Sequence, residues 1–177
     1  MFGRLNINNP GNIRISSDLF QGEIQPSTDP AFKQFSTMAY GYRAMFRILD
    51  TYSKKYGIHT ISGIISRWAP PSENDTTSYI NFVADKTGIP AFAPISIEDK
   101  DSMTKLAYAI SWYENGQYVN TNEISEGYDL ATGFASQITD LVPDSVRFEF
   151  NHRPLLLFTG TTVAFGTAIF LIRKLRK

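Results

Sequence analysis

The sequence has no cysteine and only two histidines, His59 and His152, far apart from each other. The first absence removes any disulfide framework and any thiolate metal site, and the second leaves zinc without a ligand set. No metal and no cofactor are therefore expected. Acidic residues stop at Glu149, while Arg153, Arg173, Lys174, Arg176 and Lys177 follow it. Ahead of that point twelve basic residues face all seventeen acids. A net acidic body lacks the basic patch that displaces phosphate counterions, which argues against a nucleic-acid partner. It argues mildly, too, against attraction to an anionic cell wall by charge alone. Met1–Asn12 contains no apolar run of signal-peptide length, so it is not read as a secretory signal. Internal repeats and low-complexity tracts are also missing, and 177 residues suit one compact core and little more.

What is present begins at the far end. From Pro154 to Ile172 no residue is charged, and a helix of that length crosses a hydrocarbon core of ~30 Å. Arg153 before it and Arg173 to Lys177 after it suit the two head-group regions. The hydroxyls of Thr159, Thr161, Thr162 and Thr167 can return to carbonyls of the preceding turn. Gly160 and Gly166 stand six apart, which is the wrong spacing for a close helix dimer. The expected organisation is a globular body over 1–141, a stalk over 142–153, a single membrane span over 154–172 and a basic tail over 173–177, with a lipid bilayer as one partner.

The body reads as mainly α with a small loop or β region. Residues 6–30 are dense in Asn, Gly, Pro, Ser and Asp, as a loop or short hairpin requires. Tyr42, Met45, Phe46, Leu49, Tyr52 and Tyr56 recur at helical spacing until Gly57. Ile61, Ile64, Ile65 and Trp68 form a second helical face that Pro70 and Pro71 end. Asn74 or Asp75 caps a third helix, through Tyr79, Phe82 and Val83 to Gly88. A polar connector over 90–101 leads to a fourth helix from Ser102 to Asn115, with Gly116 placed for a left-handed close. A fifth runs from Ile124 to Leu141 through Tyr128, Ala131, Phe134, Ala135 and Ile138, although Gly127 and Gly133 weaken it.

One carboxylate ends an apolar face. Leu106, Ala107, Ile110 and Tyr113 form the stripe of the fourth helix, and Glu114 follows Ile110 by four and Ala107 by seven. Burial against apolar and aromatic neighbours raises a carboxyl pKa, which is the requirement for delivering a proton near neutral pH. Glu114 next to Trp112, Tyr113 and a following glycine meets that requirement; a solvated Glu at a helix end is the alternative. Asp18 and Glu23 read as exposed loop acids.

The run Asn8-Asn9-Pro10-Gly11-Asn12-Ile13-Arg14, with Phe32-Lys33-Gln34-Phe35 and Gly41-Tyr42-Arg43-Ala44, resembles phage-encoded proteins of the lysozyme superfamily. So does Ile64-Ile65-Ser66-Arg67-Trp68-Ala69-Pro70-Pro71-Ser72-Glu73-Asn74-Asp75-Thr76, with Tyr79 three further on. Together these motifs span about residues 6 to 90, and the tryptophan-proline stretch is the specific one. The resemblance implies an α+β lysozyme-like fold and peptidoglycan glycan strands as substrate. In related bacterial glucosaminidases and lytic transglycosylases, a catalytic helix ending Glu-Ser-Gly precedes an Asn-rich segment similar to residues 8–14. Here the similar helix is Leu106 to Gly116, which comes later in the chain. The resemblance thus implies a circular permutation, with 90–101 as the new joint and Glu114 as the catalytic acid. Asn115 stands where the family has serine.

The remaining candidates carry two readings each. Glu73 is a second acid or, preferably, part of a helix-start cap. Tyr79 resembles an active-site tyrosine, and a core tyrosine fits its spacing as well. Asn9 and Asn12 line a sugar groove or shape the turn around Gly11. Arg67 and Trp68 grip and stack on sugar, or Trp68 is buried core. Tyr113 joins the substrate-binding group through its place beside Glu114.

Hydrolases of either stereochemistry use two carboxylates, and only one strong candidate is found. Resemblance to lytic transglycosylases implies that Glu114 alone serves as acid and then base at the MurNAc–GlcNAc bond. Joined to a membrane anchor, such a domain suits a phage virion with an internal membrane, whose other partners would be virion or capsid proteins. The competing expectation is a non-catalytic, membrane-anchored structural virion protein with a lysozyme-like fold. A holin-like factor fits the tail and leaves the body unexplained.

Overall fold

A computed structural model describes residues 4–72, 74–116 and 119–133, all within the unit Met1–Leu141. The expected stalk, membrane span and tail lie outside the described residues. Among the described residues, no helix is long and apolar enough to cross a membrane.

A 3₁₀ turn, Arg4–Ile7, leads into a loop region with two short strands, β1 (Glu23–Ile24) and β2 (Gln34–Phe35), paired antiparallel with Glu23 opposite Phe35. Five helices follow: α1 (Met38–Tyr56), α2 (Ile61–Trp68), α3 (Thr76–Thr87), α4 (Lys100–Asn115) and α5 (Thr121–Thr132). The described body is mainly helical, as expected from its periodicity. The helix starts have a common chemistry, because Thr37, Thr60, Asp75, Asp99 and Asn120 each accept a backbone N–H of the first turn. Of the two expected caps for α3, Asp75 takes the position. Gly57 and Gly88 close α1 and α3 with left-handed backbone. Gly116 differs from its expectation: its φ is +94°, but its ψ of −48° lies outside the left-handed helical region. The polar connector also ends sooner than expected, since Asp99 caps α4 at Lys100.

The core forms where these stripes meet. Tyr42, Met45, Phe46 and Leu49 of α1 pack with Ile61, Ile64 and Ile65 of α2, Val83 of α3, Leu106 and Ile110 of α4, and Ile124 and Tyr128 of α5. Each such side chain removed from water contributes ~1.5–3 kcal/mol before entropic costs. Gly127 sets the approach of α5 to α1, because a Cβ there would lie 2.8 Å from the Ala39 carbonyl oxygen. α5 opens with Asn120 as its cap and closes at Gly133 with φ +74°. Of the expected continuation to Leu141, residues 134–141 lie outside the described residues.

A second, smaller cluster of Ile13, Phe35 and Ala44 seats the loop region on α1, and Trp68 packs against both clusters. Within this loop region lies an unexpected buried ion pair. Lys33 is 1% exposed and its Nζ sits 2.9 Å from Glu23 Oε1, while also donating to the carbonyls of Asp18 and Ser16. Glu23 is thus not an exposed loop acid: its carboxylate anchors the hairpin through Lys33. Asp18 is exposed, and its main chain serves the lysine.

Candidate active site

Glu114 occupies the last turn of α4, with its carboxyl turned inward. Asn12 Nδ2 donates to one oxygen at 2.7 Å and the Tyr79 hydroxyl donates to the other at 3.0 Å. Burial pushes the Glu114 pKa up; hydrogen bonds from Asn12, Tyr79 and the Trp68 side chain offset part of that rise. The negative end of the α4 dipole acts in the same sense as burial. Among the described residues no cation pairs with this carboxylate, and no second acid contributes to its shift. Tyr79 is 1% exposed; burial holds its phenol well above the ordinary value, and the Glu114 charge and hydrogen bond push it further. It therefore remains a neutral donor.

The loop that brings Asn12 to this place is built by its neighbours. Asn8 and Asn12 have positive φ, 56° and 49°, a conformation asparagine tolerates better than most residues. Asn9 is fully buried, and its amide is spent on backbone: Nδ2 donates to the Ile13 and Lys33 carbonyls and Oδ1 accepts from the Ile13 N–H. Of its two readings, the geometry gives Asn9 that of turn-shaping. Gly11 lets the loop lie on the Trp68 indole, since a Cβ there would fall 2.7 Å from the ring. Gly41 of α1 lies directly under the Asn8 carbonyl, where no side chain fits.

Asn115 ties the two segments together. Its Nδ2 donates to the Pro10 carbonyl at 2.7 Å and to the Ser111 carbonyl at 2.8 Å, and its Oδ1 is buried with no hydrogen-bond partner. Two carbonyl acceptors at one end require the amide nitrogen there, so the orientation of the side chain is settled by its partners. Nothing in the sequence singled out this pin except the departure from serine. Below it, the Tyr42 hydroxyl donates to Ser111 Oγ at 3.1 Å, joining α1 to α4 within the core.

Tyr79 stacks on Tyr113 with centroids 3.7 Å apart and planes at 14°, and Phe82 meets Tyr113 edge-on. Tyr113 keeps 39% of its surface exposed, so one aromatic beside Glu114 is open to solvent. Trp68 is half-buried, packs against both core clusters and hydrogen-bonds the carboxylate. Arg67 is directed elsewhere: its guanidinium lies 3.8 Å from the Tyr56 ring centroid and 5.2 Å from that of Tyr52. Glu73 lies outside the described residues. The structure thus joins Glu114, Asn12, Tyr79, Trp68 and Tyr113, keeps Asn9 as scaffold and separates Arg67.

No cluster of three potential metal ligands occurs among the described residues. A carboxyl with a raised pKa, neutral donors on both oxygens and an exposed aromatic at its edge can deliver and retrieve a proton. No model of a known protein family matches the chain. Over 126 residues, however, it is 45% identical to protein P5 of Pseudoalteromonas phage PM2, a match that covers 69% of this chain and 77% of that protein. Identity at this level over most of both chains reflects common descent, and the chain belongs to the family of phage-encoded proteins represented by protein P5 of phage PM2.

Proposed function

We propose that the chain is a lysozyme-superfamily enzyme of a phage virion that cuts the MurNAc–GlcNAc bond of peptidoglycan by lytic transglycosylation. The observation that carries this reading is the Glu114 carboxyl, buried without a cation and held by neutral donors. In the protonated form it donates to the glycosidic oxygen as the C1–O bond breaks. As carboxylate it then accepts the proton of the muramyl 6-hydroxyl, whose oxygen closes on C1 to form the 1,6-anhydro product. Each carboxyl oxygen has two acceptor positions, so Asn12 and Tyr79 leave room for the travelling proton. Tyr113 offers an aromatic face to a sugar ring, and Trp68 holds the wall behind the acid.

The implied permutation has geometric support. Asn12 and Glu114 are 102 residues apart in the chain and 2.7 Å apart in space, and the Asn115 to Pro10 contact repeats that closure. An end of α4 beside the Asn-rich loop is the neighbourhood in which related enzymes run directly from one segment to the other. The apolar stretch 154–172 supports a single-pass anchor in the internal membrane of the particle, which would hold the enzyme at the wall during entry.

A second reading has its own observation. Both oxygens of Glu114 are already hydrogen-bonded within the protein, as in a carboxylate that only fixes a loop to a helix. On that reading the chain is a membrane-anchored structural component of the virion. Incubation of the full chain in detergent with purified sacculi, followed by mass analysis, separates the two. Anhydromuropeptides lost in Glu114→Gln support the proposal, and muropeptides with reducing ends replace transglycosylation by hydrolysis. Intact sacculi refute the enzymatic reading and leave the structural one.

A further inference from the structure

On α1, Arg43, Arg47, Thr51 and Lys55 follow one another at intervals of four and so form a single face. Arg43 and Arg47 are like charges at the spacing at which they repel, a repulsion that a bound anion between them would relieve. That face lines a recess of about 620 Å³, which Arg67 from the end of α2 and the loop around Leu19 complete. Among the described residues four cations thus border one space in an otherwise acidic body, and Asp18 is the one acid in the lining.

Aromatic neighbours hold two of these groups, since Lys55 lies over the Tyr56 ring and Arg67 hydrogen-bonds the Tyr52 side chain, but acids pair with few of them. Among the described residues Arg43, Lys55 and Arg67 make no ion pair, and Arg47 shares Asp50 with Lys54 at a long 3.4 Å. The Nε of Arg43 is buried with no hydrogen-bond acceptor, an unfavourable arrangement that a bound anion would relieve. Stacking on Tyr56 holds Arg67 in place, which reduces the entropy lost when it binds an anion. Leu19, 73% exposed, stands at the rim of the same recess.

We infer that this recess binds a phosphate group, carried either by a soluble phosphate ester or by a phospholipid head group. A carboxylate has one charge and two oxygens, which a single Arg fork satisfies. Phosphate offers more acceptors, disposed around a tetrahedral centre, and matches several guanidinium and ammonium donors converging from two helices. The site stands apart from Glu114. Asn12 and Trp68 contact the acid, whereas the recess is lined by their chain neighbours Ile13 and Arg67 and not by Glu114. The inference does not rest on the enzymatic reading.

Titration of the full chain in a non-ionic detergent, followed by calorimetry, tests it with four probes: inorganic phosphate, glycerol 3-phosphate, dihexanoyl phosphatidylglycerol and acetate. Saturable binding of the first two supports a soluble ester as ligand, and binding of the phospholipid alone supports a head group. Either affinity should fall at least tenfold in Arg43→Gln/Arg67→Gln and several-fold in Lys55→Gln, an exposed position outside the core. Lys105→Gln on α4 and Glu114→Gln should leave it unchanged. Acetate binding as tightly as phosphate, no saturable binding of any phosphate probe, or equal affinity in Lys55→Gln and the double variant would overturn the inference.

Discussion

Glu23 and Glu114 are both withdrawn from water, and the protein treats them in opposite ways. Glu23 meets the ammonium of Lys33 at 2.9 Å; burial alone would raise its pKa, but hydrogen bonds from Gln25, Lys33 and the Phe20 N–H outweigh burial and hold it low. Glu114 meets only neutral donors, and burial holds its pKa high. Burial by itself therefore does not decide the charge of a buried acid. The balance with the donors does: at Glu23 the Gln25 amide, the Lys33 ammonium and the Phe20 N–H outweigh the cost of burial, whereas at Glu114 amide, phenol and indole donors offset only part of it and leave the carboxyl able to take up a proton. The first arrangement anchors a hairpin; the second is suited to chemistry.

The contrast can be broken in several places. On the enzymatic reading, Glu114→Gln lowers the rate of sacculus digestion by about 10²–10⁴-fold, the range for loss of a general acid, as measured by release of soluble muropeptides. Next in size is Lys33→Met, which strands the Glu23 carboxylate and two carbonyls and costs ~3–5 kcal/mol in denaturant unfolding near neutral pH. Because the folded Glu23 pKa is lowered, the contribution of the pair is present above the ordinary carboxyl pKa and is lost as pH falls through the folded value. The deficit of Lys33→Met should accordingly shrink in acid.

Glu114 should behave in the reverse sense. Its folded pKa is raised, so the stability it contributes is present below the ordinary carboxyl value and lost as pH rises through the folded one. Glu114→Gln should match the parent's melting temperature in acid and exceed it above neutrality, and a variant less stable at high pH would reverse the assignment. The smallest effects concern the neutral donors. Asn12→Gly keeps the positive φ and removes the amide, and Tyr79→Phe removes the hydroxyl; both should move the Glu114 titration upward, Asn12→Gly by more. Carboxyl carbon chemical shifts of labelled Glu114 would read the order directly.

Much of this could be read along the chain. The apolar spacing of α1 and α2, Asp75 before α3 and glycines at 57 and 88 are signals exchanged between residues within a turn or two, so they survive without tertiary context. Glu114 at the end of an apolar stripe was legible in the same way, whereas its neighbourhood with Asn12 was visible only through a family resemblance. Lys33 and Glu23 escaped altogether, because a charged pair in a loop looks alike whether it is solvated or buried. The cationic face had a signal in its spacing of four, but repulsion along one helix acquires meaning only when Arg67 arrives from another.

Local signals in the chain carry the course of α1 to α3, the Asp75 cap, the stops at Gly57 and Gly88 and the carboxylate that ends α4, because each depends on neighbours close in the chain. Packing between distant segments places this carboxyl against Asn12, Tyr79 and Trp68, makes Asn9 scaffold and buries Glu23 against Lys33. Those outcomes depend on which groups share a volume from which water is excluded, and packing brings together residues as far apart as Pro10 and Asn115.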